Sequence, residues 1–330
     1  MAVTGTGTQA DPFVVHSYDE FISLSNHIPV ADASVYIKWF DTPNQVIDCN
    51  DYGSEFKWGQ FVSRADVTTY IDLNGCTIKN FLIDSDRTMF YAVGYNDTMP
   101  RWHAAKIEVS NGSIRNVFMA SATSKLIYGE VTLHDVSVSM NAAGTTAIPI
   151  SGISGGKSCY MDNCALYLVC STLNTGIMGY VIGSDTDIEL HIANQNNKDM
   201  FPNSTFTDCR FTGKVSGIGR TFEYNTDTCV LDWCGMNSKT LNFTNCVVDL
   251  DLTDGRILGY THAGSKYDVF LTYNGANVNT NVVCNSHRPI DEGHEGYYGR
   301  ETAWNFMTHE QIRDGAYLNS KGFTVVEVGG

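Results

Sequence analysis

Six segments of this sequence share one pattern: an apolar or threonine-rich strand, a small polar corner and a second short strand. The segments cover residues 70–81, 107–118, 131–140, 159–169, 204–215 and 241–252. Their corners are Asn74-Gly75, Asn111-Gly112, Asp135-Val136, Asn163-Cys164, Asp208-Cys209 and Asn245-Cys246. Successive corners lie 37, 24, 28, 45 and 37 residues apart, which excludes a repeat of fixed length. Such variable intervals indicate a solenoid, whose coils have a minimum circumference that loops can enlarge.

The residues at these corners suit a sharp bend, because Asn and Gly adopt positive φ angles at low cost. Cysteines stand at or directly after four of the corners, at Cys76, Cys164, Cys209 and Cys246. Small apolar side chains at one position of every coil would stack on each other in the core. We therefore interpret these cysteines as packing residues.

Composition favours strands and turns over helices. Glu and Lys, both strong helix formers, supply only 22 of the 330 residues, whereas Asn, Thr, Ser and Gly supply 111. The hydrophobic fraction of 43% is sufficient for a sizeable core, and no window approaches the 18 or so consecutive apolar residues of a membrane span. We expect one mostly β domain with no membrane insertion.

The balance of charge excludes some classes of partner. Subtracting 36 acids from 21 bases gives a net charge of −15, which repels nucleic-acid phosphates and anionic membrane surfaces. We expect no nucleic-acid partner.

The ten cysteines could form disulfides or bind a metal. The N-terminus lacks a basic stretch followed by an apolar one, which predicts folding in a cytoplasm, where thiols stay reduced. The close pairs Cys159/Cys164 and Cys229/Cys234 have four intervening residues, not the two that are typical of zinc sites. We predict free thiols, no metal and no cofactor.

Both ends of the chain carry helix signals. Ser17 to Glu20 forms a capping box that predicts a helix near residues 18–27. Thr308 to Gln311 forms a second capping box, with Ile312 and Ala316 on one face and Gly322 as a stop. Helices at both ends would cover the open strand edges of a solenoid. We predict an N-terminal segment and capping helix over 1–34, the β-structure over 35–286, and a polar loop with a C-terminal capping helix and tail over 287–330.

Several stretches resemble the right-handed parallel β-helix proteins of phage virions and the related surface proteins of gut bacteria. The stretches are Gly5-Thr-Gly-Thr-Gln-Ala-Asp-Pro-Phe-Val-Val15, Val35-Tyr-Ile-Lys38, Ile71-Asp-Leu-Asn-Gly-Cys-Thr-Ile78, and Met307-Thr-His-Glu-Gln311 through Leu318 with Gly322-Phe323. The resemblance implies an all-β, single-domain, right-handed parallel β-helix with short capping helices at both ends. This solenoid carries many unrelated functions, so it is a better guide to fold than to activity.

The same resemblance implies a structural protein exposed on the surface of a virion, as a head fibre, a decoration protein or a tail-associated adhesin. Its expected partners are other capsid or tail proteins, further copies of itself in a homo-oligomer such as a trimer, and a host surface glycan or protein. The alternative is a β-helix polysaccharide depolymerase, a lyase or a glycosidase.

Aromatic residues supply candidate interface or sugar-binding positions. Trp58, Trp102 and Trp233 fall in insertions between coils, beside tyrosines such as Tyr260. Exposed rings of this kind stack on sugars or anchor interfaces, but a Trp beneath a long loop is more often a core residue. Tyr297 and Tyr298 complete the predicted binding set.

The densest polar cluster spans residues 287–300 and combines His, Asp, Glu, Arg and Tyr. In the depolymerase alternative, Asp291, Glu292 and His294 would be the acid–base residues. In the other interpretation, the cluster is a solvated loop that contacts a neighbouring subunit. Two carboxylate pairs, Asp185/Asp187 and Asp249/Asp251, are weaker catalytic candidates, because alternating acids are common on solvated strands.

Overall fold

A computed structural model describes residues 3–27, 34–53, 56–63, 66–84, 87–92, 105–119, 123–142, 149–152, 158–170, 178–193, 201, 204–215, 241–252, 279–280, 282–285, 304–307 and 309–322. The first elements are β1 (Phe13–Val15), α1 (Tyr18–His27), β2 (Ser34–Trp39), β3 (Val46–Asp48), β4 (Phe61–Val62), β5 (Thr68–Asp72), β6 (Thr77–Ile83), β7 (Thr88–Ala92), β8 (Lys106–Met119), β9 (Lys125–Ala142) and β10 (Ile150–Ser151). There follow β11 (Cys159–Asp162), β12 (Ala165–Cys170), β13 (Met178–Gly179), β14 (Val181–Ser184), β15 (Asp187–Ile192), β16 (Ser204–Thr207), β17 (Arg210–Val215), β18 (Leu241–Thr244), β19 (Val247–Leu252), β20 (Asn279–Thr280), β21 (Val282–Asn285), β22 (Trp304–Met307), α2 (His309–Arg313) and α3 (Gly315–Ser320). A 3₁₀ turn covers Cys49–Tyr52.

These strands pair in parallel with strands of the next coil and form three faces. The first face contains β1, β2, β5, the first part of β8, the middle of β9, and then β11, β14, β16, β18 and β20. The second contains β3, β6, the later parts of β8 and β9, and then β12, β15, β17, β19, β21 and β22. The third contains β4, β7, the start of β9, β10 and β13. The chain is a parallel β-helix, as predicted.

Alternation along each strand places apolar side chains inside the coils. On the first face, Ile37, Ile71, Val109, Leu133 and Met161 occupy one register position of five successive coils, and all five are buried. Because each inward position repeats at the strand spacing of about 4.8 Å, the core is continuous along the coils.

The six predicted corners all contain a residue with positive φ. The φ angles of Asn74, Asn111, Asp135, Asn163, Asp208 and Asn245 lie between 49° and 58°. Asp185 has a φ of 46° and is a seventh corner, which the repeated pattern in the sequence did not predict. It divides the longest interval into 22 and 23 residues, so two coils of minimum size lie between Asn163 and Asp208.

The cysteines at the corners lie in the core, as predicted. The four thiols of Cys76, Cys164, Cys209 and Cys246 are free and at most 4% exposed. The Cys164 thiol donates to the Asp162 carbonyl at 3.3 Å. In the coil with corner Asp185, the Thr186 hydroxyl makes the same contact with the Ser184 carbonyl at 2.7 Å. A thiol at this position is therefore a packing group that a hydroxyl can replace. Cys229 and Cys234 lie outside the described residues.

The N-terminal helix forms where the capping box predicts it. The Glu20 amide donates to Ser17 Oγ at 3.3 Å, and the Glu20 carboxylate accepts from the His16 amide at 2.7 Å. Phe21 of this helix stacks on Phe61 with ring centroids 4.6 Å apart and contacts Trp39 at 4.9 Å. The helix thus buries aromatic surface against the first coils.

The ends of the chain differ from the prediction in the C-terminal helix and in the extent of the paired strands. The single predicted helix is divided into α2 and α3, because Asp314 has an extended backbone and its carboxylate accepts from the Ala316 and Tyr317 amides, which caps α3. Parallel pairing also extends past the predicted bounds of 35–286, to β1 at one end and β22 at the other. Among the described residues, no helix is long and apolar enough to cross a membrane.

Candidate functional site

A groove of about 520 Å³ lies on the outer side of the first face. Outward side chains of successive coils line it in two rows, because alternate residues of a strand point to the same side. The central row contains Tyr36, Tyr70, Glu108 and Thr132 in register. The exposed Tyr160 continues this row on the next strand but does not line the groove. The polar row contains Lys38, Asp72, Ser110, His134 and Asp162.

Two tyrosines begin the central row. The rings of Tyr36 and Tyr70 stack with centroids 4.6 Å apart and an interplanar angle of 7°. This separation is close to the strand spacing of about 4.8 Å, so the stack follows directly from the register. Burial raises the pKa of the Tyr70 hydroxyl, and the Glu108 carboxylate raises it further. Tyr70 therefore remains a neutral hydrogen-bond donor at physiological pH.

Glu108 follows Tyr70 in the central row and is half-buried. Within the described residues its carboxylate makes no hydrogen bond and no ion pair. The nearby ammonium of Lys106 is held instead by Glu130, with Nζ 2.7 Å from Oε1. The Glu108 carboxylate is thus available to a ligand.

The polar row contains a histidine held between two acids. His134 Nδ1 lies 2.9 Å from Asp162 Oδ2, and His134 Nε2 lies 3.0 Å from Asp135 Oδ2. The Ser184 hydroxyl donates to Asp162 Oδ1 at 2.7 Å. This cluster connects neighbouring coils at the edge of the groove.

The N-terminal segment supplies an end wall of the groove through Gln9 and Pro12. Its position is fixed by the Tyr36 amide, which donates to the Gly7 carbonyl at 2.9 Å. Gly7 has a φ of 79°, and a Cβ there would lie 2.3 Å from the Phe13 ring. The wall therefore depends on a glycine at this position.

The structure corrects one predicted site residue. Trp58 is fully buried, where its ring packs against Phe81 at 4.7 Å and Tyr18 at 4.8 Å. It is a core residue beneath α1 and cannot serve as an exposed anchor. The other predicted site residues lie outside the described residues: Trp102, Trp233, Tyr260, Asp291, Glu292, His294, Tyr297 and Tyr298.

Three acids of the two weaker carboxylate pairs have structural roles, and the side chain of the fourth, Asp251, lies outside the described residues. Asp185 is a corner residue with positive φ, and Asp187 makes a bidentate contact with Arg210 at 3.0 and 2.7 Å. The Asp249 carboxylate is buried against Arg313. Among the described residues, no three His, Cys, Asp or Glu side chains are grouped as a metal site requires.

No family model and no curated protein matches this sequence. The crystal structure of a putative immunoglobulin A1 protease from Bacteroides ovatus is similar at 12% identity with a TM-score of 0.44, over 96% of this chain and 89% of that chain. A likeness at this level carries no argument about function, so any functional conclusion depends on the groove itself.

Proposed function

We propose that this protein is a structural protein on the surface of a phage particle, a head fibre, decoration protein or tail-associated adhesin, and that its groove binds a host surface glycan. The observation that carries glycan binding is the Tyr36–Tyr70 stack beside the unpaired Glu108 carboxylate. Tyrosine combines an apolar ring, which can pack on the C–H face of a sugar, with a hydroxyl that can bond sugar hydroxyls.

The arrangement of the rows favours an extended ligand. Outward positions repeat at about 4.8 Å from coil to coil, which is close to the length of one sugar residue in an extended chain. The shorter side chains of Glu108 and Thr132 lie in the central row between Tyr70 and Tyr160. A sugar chain laid along the row would meet a ring at either end and polar groups between them.

The particle-surface part of the proposal is supported by the construction of the coils. Each coil is bonded to its neighbours by parallel pairing, and the thiols at the corners are buried and free, so rigidity does not depend on disulfide formation. Folding in the host cytoplasm and assembly with capsid or tail proteins belong to the same proposal. Electron microscopy of intact particles carrying a labelled antibody tests it, and absence of label from every particle would reject it.

Homo-oligomerisation, for example as a trimer, is also part of the proposal. Light scattering of the full chain at micromolar concentration should return a multiple of 36.4 kDa. A monomer mass would contradict homo-oligomerisation and would not bear on ligand binding in the groove.

Glycan binding is tested with a tyrosine variant and a matched control. Tyr70→Ala should weaken binding to glycans identified on an array by on the order of tenfold, as expected for loss of a ring that anchors a ligand. Tyr167→Ala removes an exposed tyrosine on the second face and should leave binding unchanged. Equal effects of the two substitutions, or the absence of any bound glycan, would reject the proposed site.

The second candidate function is a polysaccharide depolymerase. It is favoured by Asp72 and Glu108, whose carboxylates line one groove from adjacent paired strands, as an acid and a base of a glycosidase must. Release of reducing ends or unsaturated sugars, lost in Glu108→Gln and in Asp72→Asn, would support it. An intact glycan after prolonged incubation with the wild type would leave the binding function alone.

A further inference from the structure

The charged groups of the groove are mainly acidic. Its lining contains three carboxylates, Asp72, Glu108 and Asp162, against one ammonium, that of Lys38, which gives a charge of −2 when His134 is neutral. The chain as a whole carries −15. A ligand that brings carboxylates would be repelled locally and by the whole protein, whereas a ligand that brings ammonium groups would be attracted.

Within this acidic lining, Glu108 is placed to contact a ligand directly. Asp72 Oδ1 already accepts from the Asn74 amide at 2.7 Å and from the Asn111 side chain at 3.3 Å. Asp162 is occupied by His134 and Ser184. By contrast, the Glu108 carboxylate has no hydrogen-bond partner among the described residues, although it is half-buried. A half-buried carboxylate gains most from a charged donor, because such hydrogen bonds are about twice as strong as neutral ones.

The aromatic stack determines where a sugar ring would lie relative to that carboxylate. Tyr36 covers one face of the Tyr70 ring, and the other face is on the side of the next coil, where Glu108 is the neighbour in the row. A sugar packed on this second face would have its substituents beside the Glu108 carboxylate. Lys106, the nearest strand neighbour with a positive charge, is already paired with Glu130.

We infer that the groove selects glycans built of amino sugars with free amino groups, that Glu108 accepts the ammonium group, and that glycans carrying carboxylates are excluded. This inference rests on the proposed glycan-binding function. It assigns a ligand class to the groove from the unpaired carboxylate beside the Tyr70 ring.

Calorimetric titration of the full chain with three oligosaccharides of equal length tests the inference. The probes are a glucosamine oligomer with free amines, its fully N-acetylated form and an oligogalacturonate. The free-amine oligomer should bind on the order of tenfold more tightly than the N-acetylated one, which is the effect of one charge-assisted hydrogen bond. The oligogalacturonate should bind most weakly.

Two carboxylate variants separate a specific contact from general attraction of a cation to an acidic protein. Glu108→Gln keeps the size of the side chain and should abolish the difference between the free-amine and N-acetylated oligomers. Glu189→Gln, on the outer side of the second face, removes an equal charge and should preserve the difference. If both variants lose this difference in affinity equally, the effect is a general attraction of a cation to an acidic protein, and the inference is wrong.

The remaining outcomes distinguish this inference from the proposed function. Equal affinity for the free-amine and N-acetylated oligomers, or tightest binding of the oligogalacturonate, would overturn the ligand class while glycan binding stands. A further outcome is that none of the three oligosaccharides binds while an array detects a glycan whose binding Tyr70→Ala weakens. In that case the ligand class is wrong and the proposed glycan binding stands. If no glycan binds at all, both fail.

Discussion

Arg313 contacts the Asp249 carboxylate with two guanidinium nitrogens, Nε at 2.9 Å and Nη2 at 2.8 Å from Oδ2. The Asp249 side chain is only 6% exposed, whereas that of Arg313 is 68% exposed. Asp249 points outward from β19, and α2 contacts β19, β21 and β22. One ion pair therefore attaches the C-terminal helices to the outer side of the second face.

Removing the guanidinium should loosen this attachment. Arg313→Ala removes a charged donor from a buried carboxylate, so we expect the free energy of unfolding to fall by about 1–2 kcal/mol. Urea unfolding measures the loss, and limited proteolysis should show earlier cleavage near α2. Arg210→Ala is the matched control, because its pair with Asp187 is about half-exposed and worth less than about 1 kcal/mol. Equal losses in the two variants would contradict a structural role for the Arg313 contact.

The corner residue Asp208 allows a clean test of backbone conformation. Its φ is 55°, and its side chain makes no hydrogen bond among the described residues. Asp208→Val should cost about 1–2 kcal/mol, because a β-branched residue is strained in the left-handed region. Asp208→Gly and Asp208→Asn should cost much less, since both residues tolerate positive φ. Chemical unfolding distinguishes these outcomes, and a similar loss in all three variants would show that the cost does not arise from φ.

The coils could be predicted from the sequence because their corners require a restricted set of residues. Asn74, Asn111 and Asn163 stand out because few residues adopt positive φ. Asp185 was missed because the polar residue Thr186 follows it, whereas Gly, Val or Cys follows the other corner residues. The division of the C-terminal helix was missed because both Asp314 and the preceding capping box are valid helix starts, and only packing decides between them.

The groove was harder to predict because its residues are far apart in sequence. Glu108, Thr132 and Tyr160 each lie three residues before their corner, so aligning the segments on the corners would have placed them in one row. Tyr70 lies four residues before its corner, because Leu73 adds one residue to that coil. The sequence makes Trp58 a candidate interface residue because it falls in an insertion between coils, but the packing of α1 across the coil buries it.

The buried position of Trp58 leads to a prediction about stability. Trp58→Ala should lower the free energy of unfolding by about 3–5 kcal/mol, because it leaves a large cavity between α1 and the first coils. Trp58→Phe should cost considerably less. The indole N–H has no hydrogen-bond partner among the described residues, so its removal breaks no bond. Urea unfolding with circular dichroism measures both variants, and a small loss in Trp58→Ala would contradict the core assignment.

The buried thiols predict a loss of stability in alkaline solution. Burial raises the pKa of the Cys164 thiol to about 11 and that of the Cys49 thiol to about 12. An unfolded thiol titrates near pH 8.5, so the native state disfavours the thiolate. The stabilising contribution of each thiol is therefore complete below about pH 8.5 and is lost as the pH rises through the folded pKa.

Cys164→Ser provides the matched variant, because a hydroxyl already fills this position at Thr186. Between pH 8 and pH 11 the wild type should lose about 1–3 kcal/mol more than Cys164→Ser. Parallel pH profiles for the two proteins would show that Cys164 does not titrate on unfolding.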